Sequence, residues 1–344
     1  MSDARPILGI SMGDPAGIGP EIIAAALSKP AVRSLCRPVV IGDPGIMRRA
    51  TAFARTQQPI HPITSVAAAR FDEDTIDVYD IRLPGLSGVP IGKVTAPAGE
   101  AAFRSVVTMI ELAMARHIDA TVTAPIHKEA LNAAGHRFPG HTEIFAHYTG
   151  TRDFTMMLAC GKFRVVHVST HVSLRQACDA VTKARVLAVI QLAHDACRKL
   201  GIAAPKIGVA GLNPHASDGG LFGTEEREHI LPAIDAARAL GMHVEGSQPA
   251  DTFFPKAAAG AYDVAVAMYH DQGHIPMKLK GFSFDADTNR WMDVRGINVS
   301  LGMPIIRTSV DHGTAFDQAG KGTASDASLI DAIEYAAKLA AGRP

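Results

Sequence analysis

Short apolar runs that read as strands alternate with amphipathic runs that read as helices along most of this chain. Strands separated by helices join a mainly parallel sheet, and the helices cover both of its faces. Ile7–Ser11 reads as a strand and Pro20–Leu27 as a helix with proline in its first turn. Pro38–Gly42 is a strand, Gly45–Arg55 a helix and Asp77–Tyr79 a short strand. Pro84–Pro97 is a Gly/Pro loop, Gly99–Arg116 a helix and Ala120–Thr123 the strand after it. A second block opens with helical Lys128–Ala134 and Thr142–Tyr148 around the loop Gly135–His141. Strands at Thr155–Ala159 and Phe163–Val168 follow, then helices at Lys183–Leu200, Glu225–Leu240 and Ser325–Ala341. The length, 344 residues, suits two domains or one large one. No linker rich in Gly, Ser or charge separates the blocks, so the chain is expected to pass between packed domains more than once. The expected division is 1–130 with 300–344, and 131–299.

Lys plus Arg equals Asp plus Glu at 34 each, which argues against a nucleic-acid binder, since such proteins need excess basic charge. Apolar residues make up 47%, enough for a sizeable core. Cys36, Cys160, Cys178 and Cys197 form no CxxC pair, so a zinc ribbon or redox motif is not indicated. Met1–Pro6 is polar and lacks the charged-then-apolar pattern of a secretory signal, and no apolar run is long enough to cross a bilayer. The expectation is a soluble, reduced, cytoplasmic protein without a membrane partner.

Three predicted strands lead to histidines: Phe163–Val168 to His171, Lys206–Gly211 to His215, and Asp263–Met268 to His270. Open α/β sheets bind ligands beyond the carboxyl ends of their strands. One such histidine is ordinarily a satisfied structural residue. Three of them can converge on a divalent metal with an open coordination position. His274 is a weaker candidate.

Other segments say less by themselves. Gly13–Glu21 lies between strand and helix but is neither GxGxxG nor a Walker A loop, so a turn and a functional loop both stay open. His141, in a Pro-Gly-His-Thr-Glu turn, carries little weight alone. Lys128, Lys278, Arg295 and Arg307 could anchor an anion or lie solvated on the surface. The glycine-punctuated segment 311–322 reads as a loop near a ligand or an interface.

The segments GDPAGIGPEI at 13–22, PGHTE at 139–143, NPHASDGGLFGTEE at 213–226, AMYHDQG at 267–273 and GMPIIRTSVDHGTAFDQAGKG at 302–322 resemble the 4-hydroxythreonine-4-phosphate dehydrogenase family of pyridoxal phosphate biosynthesis. The likeness runs over nearly the whole chain. Its end motifs are also similar to isocitrate and isopropylmalate dehydrogenases. The resemblance implies a homodimer with two α/β/α domains per subunit and a cleft between them. It makes His171, His215 and His270 the metal ligands. It makes His141, Thr142, Lys278, Asn298 and Arg307 the substrate contacts, and gives Asp311, His312, Gly313 and Thr314, with the Gly-rich continuation, to NAD or NADP. Lys278 becomes the proton carrier, with Asp251 as a weaker acid–base candidate. The metal is read as zinc, with magnesium, manganese or cobalt as other choices.

The implied reaction is metal-assisted oxidation and decarboxylation of a 4-phosphorylated 3-hydroxy acid. The primary reading is 4-hydroxythreonine 4-phosphate giving 3-amino-2-oxopropyl phosphate and carbon dioxide. The alternative is threonate or erythronate 4-phosphate giving dihydroxyacetone phosphate and carbon dioxide. It is favoured by Ala216–Gly219, Gly273–Pro276 and an insertion at Ser283–Val294 that includes Trp291. That insertion reads as a surface loop or as a lid over the site. A phosphate acetyltransferase, a metal-dependent aldolase or hydrolase, and a non-catalytic scaffold are the competing classes.

Overall fold

The computed structural model describes residues 5–287 and 290–342, apart from the side chains of 290–294. The chain divides into two compact units, 1–152 with 303–341, and 153–302 with 342–344. Residues 131–152 thus belong with the first unit rather than the second. The reason is packing on the long helix Ala96–Met114. A Cβ on Gly99 would lie 1.9 Å from the Ala130 carbonyl oxygen, so only glycine lets the helix Lys128–Ala133 approach this closely. Phe103 also stacks on His136 with ring centroids 3.5 Å apart.

The first unit carries the strand order Ile60–Ile63, Ile76–Asp80, Arg37–Gly42, Ile7–Ser11, Ala120–Thr123, Arg307–Val310, with every neighbouring pair parallel. Leu8, Ile10, Val39, Val40, Val78 and Val122 are fully buried, as expected of strands covered on both faces. From Ile7–Ser11 the chain builds outward to one side, then returns to place Ala120–Thr123 on the other. That reversal is the switch point where α/β sheets bind ligands.

The second unit has the order Ile297–Leu301, Thr155–Cys160, Phe163–His167, Val264–Ala267, Lys206–Ala210, His243–Gln248. The first three strands pair antiparallel and the remaining pairs are parallel. Its core sets Phe253, Phe254 and Tyr262 against Phe163, Val165 and Ala265. Phe253 is fully buried, and removing such a side chain from water is worth about 2–3 kcal/mol. Gly208 faces this cluster, where a Cβ would sit 2.5 Å from the Phe253 ring.

Several helices differ from expectation. Asp251 lies in the first turn of a helix, Ala250–Ala258, which is not among the expected elements. The helix expected over 225–240 opens with a π-turn at Glu226–Ile230 before α-helix Leu231–Ala239. Pro232 explains the change of register, since it cannot donate to the ladder. The insertion is an antiparallel hairpin of Phe282–Asp285 with Arg290–Val294. Residues 288–289 and the Trp291 side chain lie outside the described residues.

Candidate active site

In the second unit the strands Phe163–His167, Val264–Ala267 and Lys206–Ala210 are parallel neighbours, so their carboxyl ends share one sheet edge. His171, His270 and His215 follow those three ends. The rings of His171 and His270 come to 5.8 Å between centroids. Both line an open cavity of about 340 Å³ with Thr170, Val172, Leu174 and Tyr269. His270 begins the helix His270–Gly281, and its Nδ1 lies 2.6 Å from the Asp271 carboxylate. A carboxylate on one ring nitrogen fixes the imidazole and turns the other nitrogen toward a metal. His274, one turn on, stacks on His270 at 3.6 Å and lies 4.7 Å from the buried ring of His167. Gly273 permits this, because a Cβ there would meet His167 Nε2 at 2.3 Å.

His215 is set differently. It opens a run of positive φ through Gly220 that includes the non-glycine residues His215, Ala216, Ser217 and Asp218. L-residues resist this conformation, so the surroundings must hold it. Buried Glu226 does so from one side, with Oε1 accepting the Leu212 and Asn213 N–H groups at 2.8 and 2.7 Å. The His215 ring lies 6.3 Å from Phe222. Among the described residues no three His, Cys, Asp or Glu side chains gather as a metal-binding group. The structure therefore brings His171 and His270 together and leaves His215 outside that pair.

Lys278 sits in the last turn of the same helix as His270, its Nζ 4.2 Å from the Phe282 ring centroid. Asn298 lies on Ile297–Leu301; its Nδ2 contacts Met156 Sδ, and its buried Oδ1 has no hydrogen-bond partner among the described residues. Asp251 is exposed, with Oδ1 accepting the Thr252 N–H at 2.9 Å.

In the first unit His141 and Thr142 begin the helix His141–Thr149. Arg307, on the strand Arg307–Val310, is only 3% exposed. Its guanidinium donates to Thr142 Oγ1 at 3.2 Å and Thr123 Oγ1 at 2.9 Å, and lies 5.6 Å from the Phe145 ring. Burial pulls the Arg307 pKa down, with Glu143 opposing that shift. Burial, and then the charge of Arg307, push the His141 pKa well below its ordinary value, although the Ala124 carbonyl opposes them. His141 is therefore a neutral imidazole at physiological pH, and its Nε2 has no hydrogen-bond partner among the described residues.

The segment Asp311–Thr314 follows the same strand. Asp311 N–H donates to Ser328 Oγ at 3.3 Å, and His312 Nδ1 lies 3.0 Å from the Gly313 carbonyl. Thr314 O accepts the Ile18 N–H at 3.0 Å, which ties this segment to the Gly13–Glu21 loop. Nearby, Asp14 is fully buried. Its Oδ1 accepts the Ala16 N–H at 2.8 Å, while Oδ2 is without a partner among the described residues. Burial raises its pKa from 3.8 to about 6, against the opposing Ala16 hydrogen bond and His127 charge.

The folded state therefore holds the Asp14 proton more tightly than the unfolded chain does. On this account stability falls as pH rises from about 4 to about 6, and the loss persists above that window. Asp14→Asn keeps the Ala16 acceptor and removes the charge. Urea unfolding at pH 8 is expected to show the variant about 1–3 kcal/mol more stable than wild type, the gap closing by about pH 4. A gap independent of pH would refute this account of Asp14.

The profile of the pyridoxal phosphate biosynthetic protein PdxA family matches residues 34–336. The chain belongs to this family. It is 47% identical over its whole length to D-threonate 4-phosphate dehydrogenase of Cupriavidus necator, all of which is covered. A crystal structure of 4-hydroxythreonine-4-phosphate dehydrogenase from Klebsiella pneumoniae matches with TM-score 0.84 and 44% identity, covering 98% of this chain and 100% of that one. At the level of fold alone, a β-decarboxylating dehydrogenase from Thermococcus kodakarensis aligns with TM-score 0.50 and 13% identity, over 96% of this chain and 82% of that one. The chain is thus an oxidoreductase acting on CH–OH, with the mixed α/β fold of that dehydrogenase class. Among the described residues no helix is long and apolar enough to cross a membrane.

The PdxA-family resemblance drew attention to motif residues, and the structure adds residues it passed over. Thr123 holds one arm of Arg307, and Glu226 braces the turn of His215. His167 backs the His270–His274 stack. Thr123 is a strand-end hydroxyl with no sequence signal of its own. Glu226 ends the motif at 213–226, where nothing local marks it as a brace.

Proposed function

We propose that this PdxA-family enzyme oxidises D-threonate 4-phosphate at C3 with NAD+ or NADP+, and that the resulting β-keto acid loses carbon dioxide to leave dihydroxyacetone phosphate. The observation that carries the reading is the end-to-end 47% identity to a D-threonate 4-phosphate dehydrogenase. It moves the assignment from the primary sequence reading, 4-hydroxythreonine 4-phosphate, to the alternative. The protein acts as a cytoplasmic homodimer on a small phosphorylated acid.

The residues fit the groups this reaction needs. His171 and His270 offer imidazole nitrogens at one sheet edge, Asp271 orients His270, and His215 follows the adjacent strand. His171 and His270 would hold a divalent metal, zinc by the chemistry of imidazole donors, and His215 is proposed as the third ligand although it stands outside that pair here. A metal bound there would supply Lewis acidity at the substrate hydroxyl, and Asp311–Thr314 would hold the dinucleotide that supplies the hydride acceptor. Arg307 holds the phosphate with its fork of N–H groups, steadied by Thr123 and Thr142. Neutral His141 adds a hydrogen bond without adding charge. Asn298 Oδ1 accepts a hydrogen bond from a substrate hydroxyl, which suits its lack of a partner among the described residues. Lys278 carries the proton that leaves the C3 hydroxyl, and later returns one to the carbon that lost carbon dioxide.

The test is a substrate panel with NAD+ and NADP+, with and without chelator. D-threonate 4-phosphate is expected to give the highest kcat/KM, at least about tenfold above 4-hydroxythreonine 4-phosphate, and chelator to abolish turnover. In the same assay Lys278→Ala is expected to lose about 10²- to 10⁴-fold in kcat. A preference for the amino acid substrate, or turnover indifferent to chelator, would sink the corresponding part of the reading.

A further inference from the structure

Glu21 is a carboxylate only 4% exposed, set in the first turn of the helix Gly19–Leu27. Its two oxygens are committed to a segment 300 residues away. Oε1 accepts the Gly320 N–H, and Oε2 accepts the Gly322 N–H at 3.0 Å. Both glycines have positive φ, +82° and +63°. A Cβ on Gly322 would lie 2.1 Å from the Phe53 carbonyl oxygen, so this path is open only to glycine. The contact is one of several joining the 13–21 loop to the 311–322 segment. Ile18 N–H donates to Thr314 O, and a Cβ on Gly17 would come within 2.9 Å of Thr314 Cβ. Lys29 Nζ closes the far side with the Asp326 carboxylate at 2.7 Å.

Two backbone N–H groups on a Gly-Lys-Gly turn would ordinarily suit a phosphate. Here a protein carboxylate already occupies them. We infer that Glu21 is a positioning residue for dinucleotide binding: it occupies the Gly320–Gly322 N–H pair and so fixes the course of the segment that carries Asp311–Thr314. The Gly-rich continuation then serves as an anchor, not as a pyrophosphate cradle. This rests on the reading that Asp311–Thr314 holds the dinucleotide, and the experiment separates the two.

Binding of NADH and of D-threonate 4-phosphate is measured by calorimetry for wild type, Glu21→Gln, Glu21→Asp and Asp311→Ala, with melting temperature as a folding control. Glu21→Gln keeps one acceptor and turns an N–H toward the second glycine N–H; Glu21→Asp keeps the charge but shortens its reach. Both are expected to weaken NADH binding by about tenfold to a hundredfold, the cost of one lost charge-assisted hydrogen bond. Binding of the acid is expected to stay within about twofold, a difference too small for a lost hydrogen bond. NADH binding unchanged in the Glu21 variants, or equal loss of both ligands, overturns the positioning role. NADH binding unchanged in Asp311→Ala overturns the loop reading instead. If Glu21→Gln does not fold, the less disruptive Glu21→Asp decides by the same measure.

Discussion

On the proposed metal reading, His171→Ala and His270→Ala are each expected to abolish metal binding and to lower kcat by about 10³-fold or more. The expectation follows from the pair at the shared sheet edge, 5.8 Å apart and bordering one cavity. Disturbing a group that merely orients a metal ligand typically costs about 10- to 100-fold in affinity or activity, so removing the ligand itself must cost more. Asp271→Asn provides that milder comparison, because its carboxylate lies against His270 Nδ1. His215→Ala tests whether the third histidine shares the ion, since its turn stands apart from the other two. Metal per protomer, by mass spectrometry of the purified protein, is the readout independent of turnover. One tightly held metal per protomer in all three histidine variants would end the metal assignment.

Arg307→Met is expected to lower kcat/KM by about 10²- to 10³-fold, mostly through KM. Removing one partner of a buried, hydrogen-bonded charge pair costs about 2–5 kcal/mol, and each 1.4 kcal/mol is tenfold. Arg307→Lys is expected to recover little of this. A lysine is a point charge and cannot donate to Thr123 and Thr142 while also facing a phosphate with a planar fork. Thr123→Val probes the same device more gently, by removing one hydrogen-bond partner from the guanidinium. Steady-state kinetics with the phosphorylated acid, against melting temperature for folding, distinguish these cases. Full activity in Arg307→Met would remove Arg307 from substrate binding.

Much of the architecture was legible along the chain. Ile7–Ser11 and Ala120–Thr123 are strands with the predicted limits, and Lys183–Lys199 ends one residue short of its expected bound. These segments are long or apolar enough for periodicity to define them. Ile60–Ile63 is an edge strand containing Pro62, and its pattern is too weak to read. The helix Ala250–Ala258 is absent from the expected elements, and Pro255 within it breaks the helical pattern. The placement of 131–152 depended on the Gly99–Ala130 approach, a contact that hydropathy cannot report.

For the site, residue type and position after a strand were enough to nominate His171, His215 and His270. Their neighbourhood was not readable, because it depends on strand order. Phe163–His167, Val264–Ala267 and Lys206–Ala210 are widely spaced in the chain yet adjacent in the sheet. The same holds for Arg307, which read as one of several possible anion anchors until its burial and its two threonine partners set it apart.

Local sequence by itself determined the strand–helix alternation, the strand-end histidines and the motifs that mark the PdxA family, since each is written in residues close together in the chain. Tertiary structure alone decided which histidines meet, that Arg307 is buried between Thr123 and Thr142, and that Glu21 grips Gly320 and Gly322. Those facts depend on contacts between residues up to about 300 positions apart. Such contacts come from packing, whose partners no short-range pattern encodes.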